Sequence, residues 1–351
     1  MCAAEINHGW PPHLTLPLEW LRTFAATLGA ELLLEPSTGF CARITLDGRW
    51  HFLIGADLGV NSSASRRVAE DKGFAEFFLR AAGLRTIPTQ CVAELGELDA
   101  GALAYPLILK PLRGSGGEGV YRVDAVQWLA QAFELARKLC DRVLVQPRID
   151  WPEYRIVVFK RACVFAYRRE PLRLVGDGKR TIRELLDAVN ESRREVMRIE
   201  PNDPRIGFHL LQCAGGARTK MAGETRRTDA DSVAGGTRPT GDRPLDDLLD
   251  ETPSPGCVLW PFANANLKCG GTWSECTDEL DARLADVAVM AADALGLTLA
   301  GVDLFARDHR IVDAGYQIIE VNADPGFEYF RARPDRFDGL MRAIVEHLRT
   351  R

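Results

Sequence analysis

Apolar residues recur along this chain in two periods, 3.6 and 2, and the switches between them mark out most of its elements. Between Gly73 and Ala82, Phe74, Phe77, Phe78 and Ala81 fall at i, i+3, i+4 and i+7, which predicts a helix with those four on its inner face and Gly83 at its end. A second helix is expected from Asp124, with Asp124 as cap, Gln127 at the capping-box position and Leu129, Ala132, Phe133, Ala136 and Leu139 inward. Thr181 and Glu184 form another capping box ahead of Leu185, Leu186 and Val189. Further helices are expected from about Asp278 to Leu295, with Leu280, Leu284, Val287 and Ala291 buried, and over about Arg336–Leu348. Short apolar runs predict strands in YPLILKP, VYRV, RVLVQPRI, YRIVVFKRACVFAYRR, AGVDLF and YQIIEVN. Residues 1–70 are less legible, with strands expected near Leu32–Leu34 and Trp50–Ile54 around a small helix. Residues 200–256 are rich in Gly, Arg, Thr, Asp and Pro and show almost no apolar period, which suggests a long mobile loop or a substrate-facing insertion. The mixture reads as an α/β (α+β) chain.

Composition narrows the classes. With 351 residues and 46% hydrophobic residues there is material for two or three compact subdomains. A net charge of −5 favours neither nucleic acid nor an anionic membrane as partner. No apolar run reaches the roughly 18 residues of a spanning helix. The opening MCAAEINHGWPPH lacks the basic-then-apolar pattern of a signal peptide, so a cytoplasmic protein is expected. The nine Cys are odd in number, scattered and without a Cys-x-x-Cys pair, which predicts free thiols in a reducing compartment rather than a zinc or redox motif. His8 and His13 are poorly spaced for a metal.

The sharpest chemical signal is YPLILKPLRGSGGEGVYRV. Gly114, Gly116 and Gly119 satisfy G-x-G-x-x-G, but VYRV after them has the alternation of a strand, so the loop is a hairpin tip and not a dinucleotide-binding turn. Glycines let a backbone approach phosphates closely, and Lys110 lies four residues upstream inside an apolar run, where a lysine needs an anionic partner. A plain glycine turn is the competing reading. A kinase hairpin is not, because there the lysine follows the loop.

A second signal lies near the C-terminus. In YQIIEVN, alternation puts Glu320 and Asn322 on one strand face, and Asp303 sits mid-strand in GVDLF. Two acids and an amide are oxygen ligands suited to Mg²⁺, with Mn²⁺ an alternative. Taken alone, Asp303 as a satisfied core acid and Glu320 at an exposed strand end explain these residues about as well. A phosphate-binding hairpin in the same chain favours the metal.

Lys110, the glycine hairpin, Asp303 and IIEVNADPGF together resemble the ATP-grasp superfamily, in particular the branch of cyanophycin synthetase and the ATP-grasp half of bifunctional glutathione synthetases. The segments NSSASRRVAEDKGFAEFFLRAAGLRTIP, LVQPRIDWPEYRIVVF, AYRREPLRLVGDGKRTIRELL, NDPRIG, NANLKCGGTWSECTDEL and AGVDLF carry the similarity in order over about residues 55–330. The resemblance implies two α+β lobes gripping ATP: a lid lobe at 72–146 and a C-terminal lobe at 147–351 bearing the 200–256 insertion, preceded by a small N-terminal α/β domain at 1–71. It implies that Lys72 and Lys110 contact ATP phosphates and that Ser115, Gly116 and Gly117 close over them. Gln146, Pro147 and Ile149 would form the adenine-holding hinge, and Glu153 would bind the ribose. Asp303, Glu320 and Asn322 would hold Mg²⁺. Arg169, with Arg168 and Arg155, would neutralise the transferring phosphoryl group, and Asn266, Gly270 and Gly271 would face the reacting carboxylate. Arg205 would recognise a substrate carboxylate. A solvated strand edge explains Arg168 nearly as well, and a surface lysine at a helix start is the plain alternative for Lys72. Gln146 stands where an acid is common. The chain does not include the large extra domains of those enzymes, so its substrates need not be theirs.

The resemblance implies an ATP-dependent, ADP-forming ligase that joins a carboxylate to an amine of amino acids or similar small molecules through an acyl phosphate. A homodimer is compatible with this. A small-molecule kinase, a ligase with a carrier-protein thiol as acceptor, and a nucleotide-binding regulator without turnover are the alternatives.

Overall fold

The computed structural model describes residues 14–99, 101, 104–193, 197–215 and 244–351. His8, His13 and the stretch 216–243 of the expected insertion lie outside the described residues. The chain divides into two units, one made of Met1–Thr86, Trp151–Arg168 and Glu275–Arg351, the other of Ile87–Asp150 and Arg169–Ser274.

The first unit contains an antiparallel sheet of Ala30–Leu34, Cys41–Leu46 and Arg49–Ile54. Ala42, Ile44, Leu46 and Leu53 are buried on one of its faces, while Leu33, Trp50 and Phe52 are exposed on the other. Its larger sheet has Glu153–Phe159 beside Leu299–Ala306 and Leu299–Ala306 beside Tyr316–Asn322, all antiparallel. Helix Ala282–Ala294 packs Leu284, Val287, Ala288 and Ala291 into a core with Ile156, Val302, Leu304 and Ile318. Asp281 caps that helix by accepting the Arg283 N–H at 2.8 Å. The last helix, Pro334–Arg349, buries Phe337, Leu340, Met341 and Ile344.

Helix Lys72–Ala81 forms where expected, capped by Asp71, but its faces are reversed. Ala75 and Leu79 are buried, whereas Phe74, Phe77 and Phe78 are exposed. A small residue and a leucine at i and i+4 let the helix lie close to the sheet, and bulky rings at those positions would not.

In the second unit the sheet order is Gln90–Val92, Val143–Pro147, Leu107–Pro111, Tyr121–Val123. Leu107 opposite Val123 and Leu109 opposite Tyr121 make the glycine segment a connection between antiparallel strands, as expected. Helix Leu129–Arg137 packs Ala132, Phe133 and Ala136 inward, but it begins five residues after Asp124 and has no side-chain cap. Asp124 instead pairs with Arg122 at 2.8 Å, and Leu139 is exposed. Thr181 and Glu184 do form the capping box of helix Ile182–Glu191.

Part of the segment read as lacking periodic structure is ordered. Pro204–Gly215 is a helix in which Ile206, Phe208, His209, Leu210, Leu211 and Gln212 are buried. It lies along the open edge of Tyr121–Val123. His209 Nε2 accepts the Arg122 N–H at 3.0 Å. The Gln212 amide accepts the Asp124 N–H at 2.9 Å and donates to the Arg122 carbonyl at 2.7 Å. Side chains thus satisfy backbone groups that an edge strand otherwise leaves exposed.

Among the described residues, Cys41, Cys91, Cys140, Cys163, Cys257, Cys269 and Cys276 are unbonded thiols, and no helix is long and apolar enough to cross a membrane.

Candidate functional site

Strand register builds the acidic group. Arg155, Asp303 and Glu320 lie directly opposite one another on three neighbouring strands, so they form one row across the sheet. Asn322 follows on the same face as Glu320, two residues on. The Arg155 guanidinium grips Asp303 as a fork, Nε to Oδ1 at 2.5 Å and Nη2 to Oδ2 at 2.6 Å. Asp303 is 1% exposed. Burial pulls the Arg155 guanidinium down, but the Asp303 charge outweighs it and lifts Arg155 well above its usual range. The Asn322 amide lies 3.3 Å from Asp303 Oδ2 and 3.2 Å from Glu320 Oε1, between the two carboxylates.

This donor set fits a hard divalent cation. Two carboxylates and an amide converge on one sheet face, and turning the amide presents a third oxygen. Among the described residues no group of three or more His, Cys, Asp or Glu could hold a metal.

Of the other expected residues in this unit, Lys72 is half-buried in the first turn after the Asp71 cap, and Glu153 opens its strand opposite Phe305. Arg168 is half-buried. Two residues not foreseen from sequence support the acidic strands. Asn61 donates to the carbonyls of Leu299 and Ala323, both at 2.8 Å, and accepts the N–H groups of Thr298 and Leu299. Arg66 pairs with Asp57 and, at 2.5 Å, with Asp324 just beyond Asn322. Both lie in the segment beginning NSSASRR, noted above only for its resemblance, and an Asn ahead of a helix carries no signal of a distant partner.

In the second unit Lys110 is 7% exposed, the last residue but one of strand Leu107–Pro111. The hairpin bends through Gly114, Gly116, Gly117 and Gly119, all at positive φ. Gly117 also has no room for a side chain, since a Cβ would lie 2.6 Å from the Asn264 amide. The Gly117 carbonyl accepts from Arg205 Nη1 at 2.6 Å and from Asn264 Nδ2 at 3.2 Å. Ser115 and Gly116 precede that anchor.

At the expected hinge, Gln146 is buried opposite Ile108 and donates to Thr89 Oγ1 at 2.7 Å, while Pro147 and Ile149 are half-buried. Arg169 is buried, 5% exposed. Asn266 caps a short turn over Leu267–Cys269 by accepting the Lys268 N–H at 2.9 Å. Gly270 is at φ +82° and Gly271 would place a Cβ 2.3 Å from the Ala265 carbonyl, so the turn itself requires both glycines. Arg205 has a full set of internal partners: Asp203, the Gly117 carbonyl, Cys269 Sγ at 3.3 Å and the face of Phe262 at 4.8 Å.

A row of acids beside an amide on the larger sheet of the first unit, and a glycine hairpin behind a buried lysine in the second, are features that the resemblance to ATP-grasp proteins implies. Residues 262–335 match the RimK-like ATP-grasp domain, and the chain carries a domain of that kind. The fold is similar to that of part of a solved bifunctional glutathione synthetase from Pasteurella multocida, with a TM-score of 0.50 and 19% identity over 91% of this chain and 42% of that one. In sequence the chain is 30% identical over 269 residues to cyanophycin synthetase of Crocosphaera subtropica, covering 74% of this chain and 28% of that protein. It is 24% identical over 257 residues to the glutathione biosynthesis bifunctional protein of Streptococcus thermophilus, covering 71% and 29%. The chain thus spans under a third of the length of these curated relatives.

Proposed function

We propose that the chain is an ATP-dependent carboxylate–amine ligase, which joins amino acids or amino-acid-like substrates through an acyl phosphate and releases ADP and phosphate. The observation that carries this is the row of Arg155, Asp303 and Glu320 with Asn322 beside it, an oxygen donor set on the strands of an ATP-grasp fold. Relatives named as cyanophycin synthetase and as a glutathione biosynthesis protein support it.

A carboxylate and an amine do not condense in neutral water, because oxide is too poor a leaving group. Phosphorylation of the carboxylate replaces it with phosphate. Asp303, Glu320 and Asn322 would hold Mg²⁺, or Mn²⁺ in its place. The metal, when bound, supplies charge neutralisation for the transferring phosphoryl group. Lys110 would place a point charge on phosphate oxygens, and Ser115 to Gly117 would bring backbone N–H groups to them. Lys72 would add a second cation, Gln146, Pro147 and Ile149 would border the adenine, and Glu153 would accept from the ribose. Arg169 and Arg168 would stabilise the acyl phosphate, with Asn266 and Gly271 toward the carboxylate. The unbonded thiols suit a reducing cytoplasm.

The products test the reading. ADP and inorganic phosphate are expected in equal amounts, dependent on both acid and amine, in a screen of amino-acid pairs. An oxygen label in the substrate carboxylate should appear in the released phosphate. AMP and pyrophosphate would overturn the mechanism, and ADP release without any amine would make the protein a kinase.

A further inference from the structure

Arg205 lies in a short Asp-Pro-Arg turn that opens helix Pro204–Gly215. Asp203 accepts the Arg205 N–H at 2.9 Å, as a helix cap does, and also accepts from the guanidinium. The planar group is therefore aimed by a carboxylate that is itself fixed by the helix start. Its Nη1 reaches the Gly117 carbonyl at 2.6 Å. Burial disfavours the charge of Arg205, but its partners, Asp203 foremost, overcome this and raise it above its usual range, so the cation persists. Asn264 reaches the same carbonyl from the turn that precedes Asn266 and Gly271, and its Oδ1 accepts the Asn266 N–H at 3.1 Å.

One backbone oxygen of the glycine hairpin is thus held by two side chains from different segments. Glycine is obligatory there on two counts, φ of +78° and the close approach of the Asn264 amide. A hairpin so rich in glycine has little else to fix its backbone. A guanidinium serves a carboxylate and a carbonyl with separate nitrogens held in one rigid plane, whereas the three donors of an ammonium radiate from a single nitrogen and do not keep that geometry.

We propose that Arg205 is a positioning residue that, with Asn264, latches the glycine hairpin through the Gly117 carbonyl and couples hairpin order to the Asn264–Gly271 turn. This assigns Arg205 away from the substrate carboxylate. The proposal rests on the ligase reading only for its effect on turnover, and the latch itself is measured without turnover.

The test compares wild type with Arg205→Lys and Asn264→Ala by amide hydrogen exchange, alongside melting temperature and binding of a fluorescent ATP analogue. Arg205→Lys keeps the charge beside Asp203 but loses the fork. Loss of one charge-assisted hydrogen bond should speed exchange at residues 115–119 about tenfold, with exchange in helix Leu129–Arg137 unchanged. Analogue affinity should fall several-fold in both variants. If turnover is found, KM for ATP should rise more than kcat falls. Unchanged hairpin exchange in a folded Arg205→Lys protein overturns the latch, as does acceleration spread evenly over the whole unit. Faster hairpin exchange in a chain that shows no ligase activity upholds the latch and counts only against the ligase reading.

Discussion

At the scale of single residues, Asp303 is the most constrained group of the candidate site. It is buried, and both its oxygens face Arg155. Breaking such a pair leaves an uncompensated charge, at a typical loss of about 3–5 kcal/mol. Arg155→Leu is therefore expected to destabilise the metal-free protein by that order in urea unfolding. If Asp303 also belongs to the Mg²⁺ site, Mg²⁺ restores a counter-charge, and millimolar Mg²⁺ should raise the melting temperature of Arg155→Leu more than that of wild type. An equal effect on both proteins removes Asp303 from the metal site. Glu320 and Asn322 were legible as a pair because alternation along one strand puts them on one face, whereas Asp303 comes beside them only through the register of the neighbouring strand. Arg155 was legible as a candidate for phosphoryl contact but not as the partner of Asp303, since strand register between segments about 150 residues apart leaves no local trace.

At the scale of elements, the helix Pro204–Gly215 escaped the sequence reading for a physical reason. Six of its side chains from Ile206 to Gln212 are buried, nearly all the way round, so it lacks the polar face that gives a helix its period. The stripe of Phe74, Phe77 and Phe78 misled in the opposite sense, because periodicity alone does not say which face turns inward. His209 of the buried helix gives a measurable consequence. Its Nε2 accepts a backbone N–H, so its Nδ1 carries the proton and donates to the Pro261 carbonyl at 2.9 Å. Burial, aided by nearby Arg122 and Arg205, lowers its pKa to about 4. The folded state then binds fewer protons than the unfolded state between an ordinary histidine value near 6.5 and 4. This contribution is complete above pH 6.5 and is lost as pH falls through that window, by roughly 3 kcal/mol in all. Urea unfolding at pH 7 and pH 4.5 should show the advantage of wild type over His209→Gln shrinking at the lower pH. A constant difference would mean that His209 is not held neutral.

At the scale of the whole molecule, the chain enters the first unit three times and the second twice. The glycine hairpin, its latch and the Asn264–Gly271 turn all belong to the second unit. The acidic row belongs to the first, and there strand Leu299–Ala306 lies between Glu153–Phe159 and Tyr316–Asn322. That path sets an order of birth. On the ribosome the second unit has all its residues once Ser274 is made, while the Glu153 strand still lacks the Leu299 strand on one side. At 5–20 residues per second the remaining 77 residues take roughly 4–15 s. A chain ended at Ser274 is expected to resist protease over residues 104–150, 169–193 and 244–274 while 14–86 and 151–168 are cut. Uniform cleavage would show that neither unit forms before the other. Until Asn322 is made the nascent protein has the residues of the glycine hairpin but not all of the acidic row, so the part that would grip phosphate is expected to mature before the part that would hold the metal.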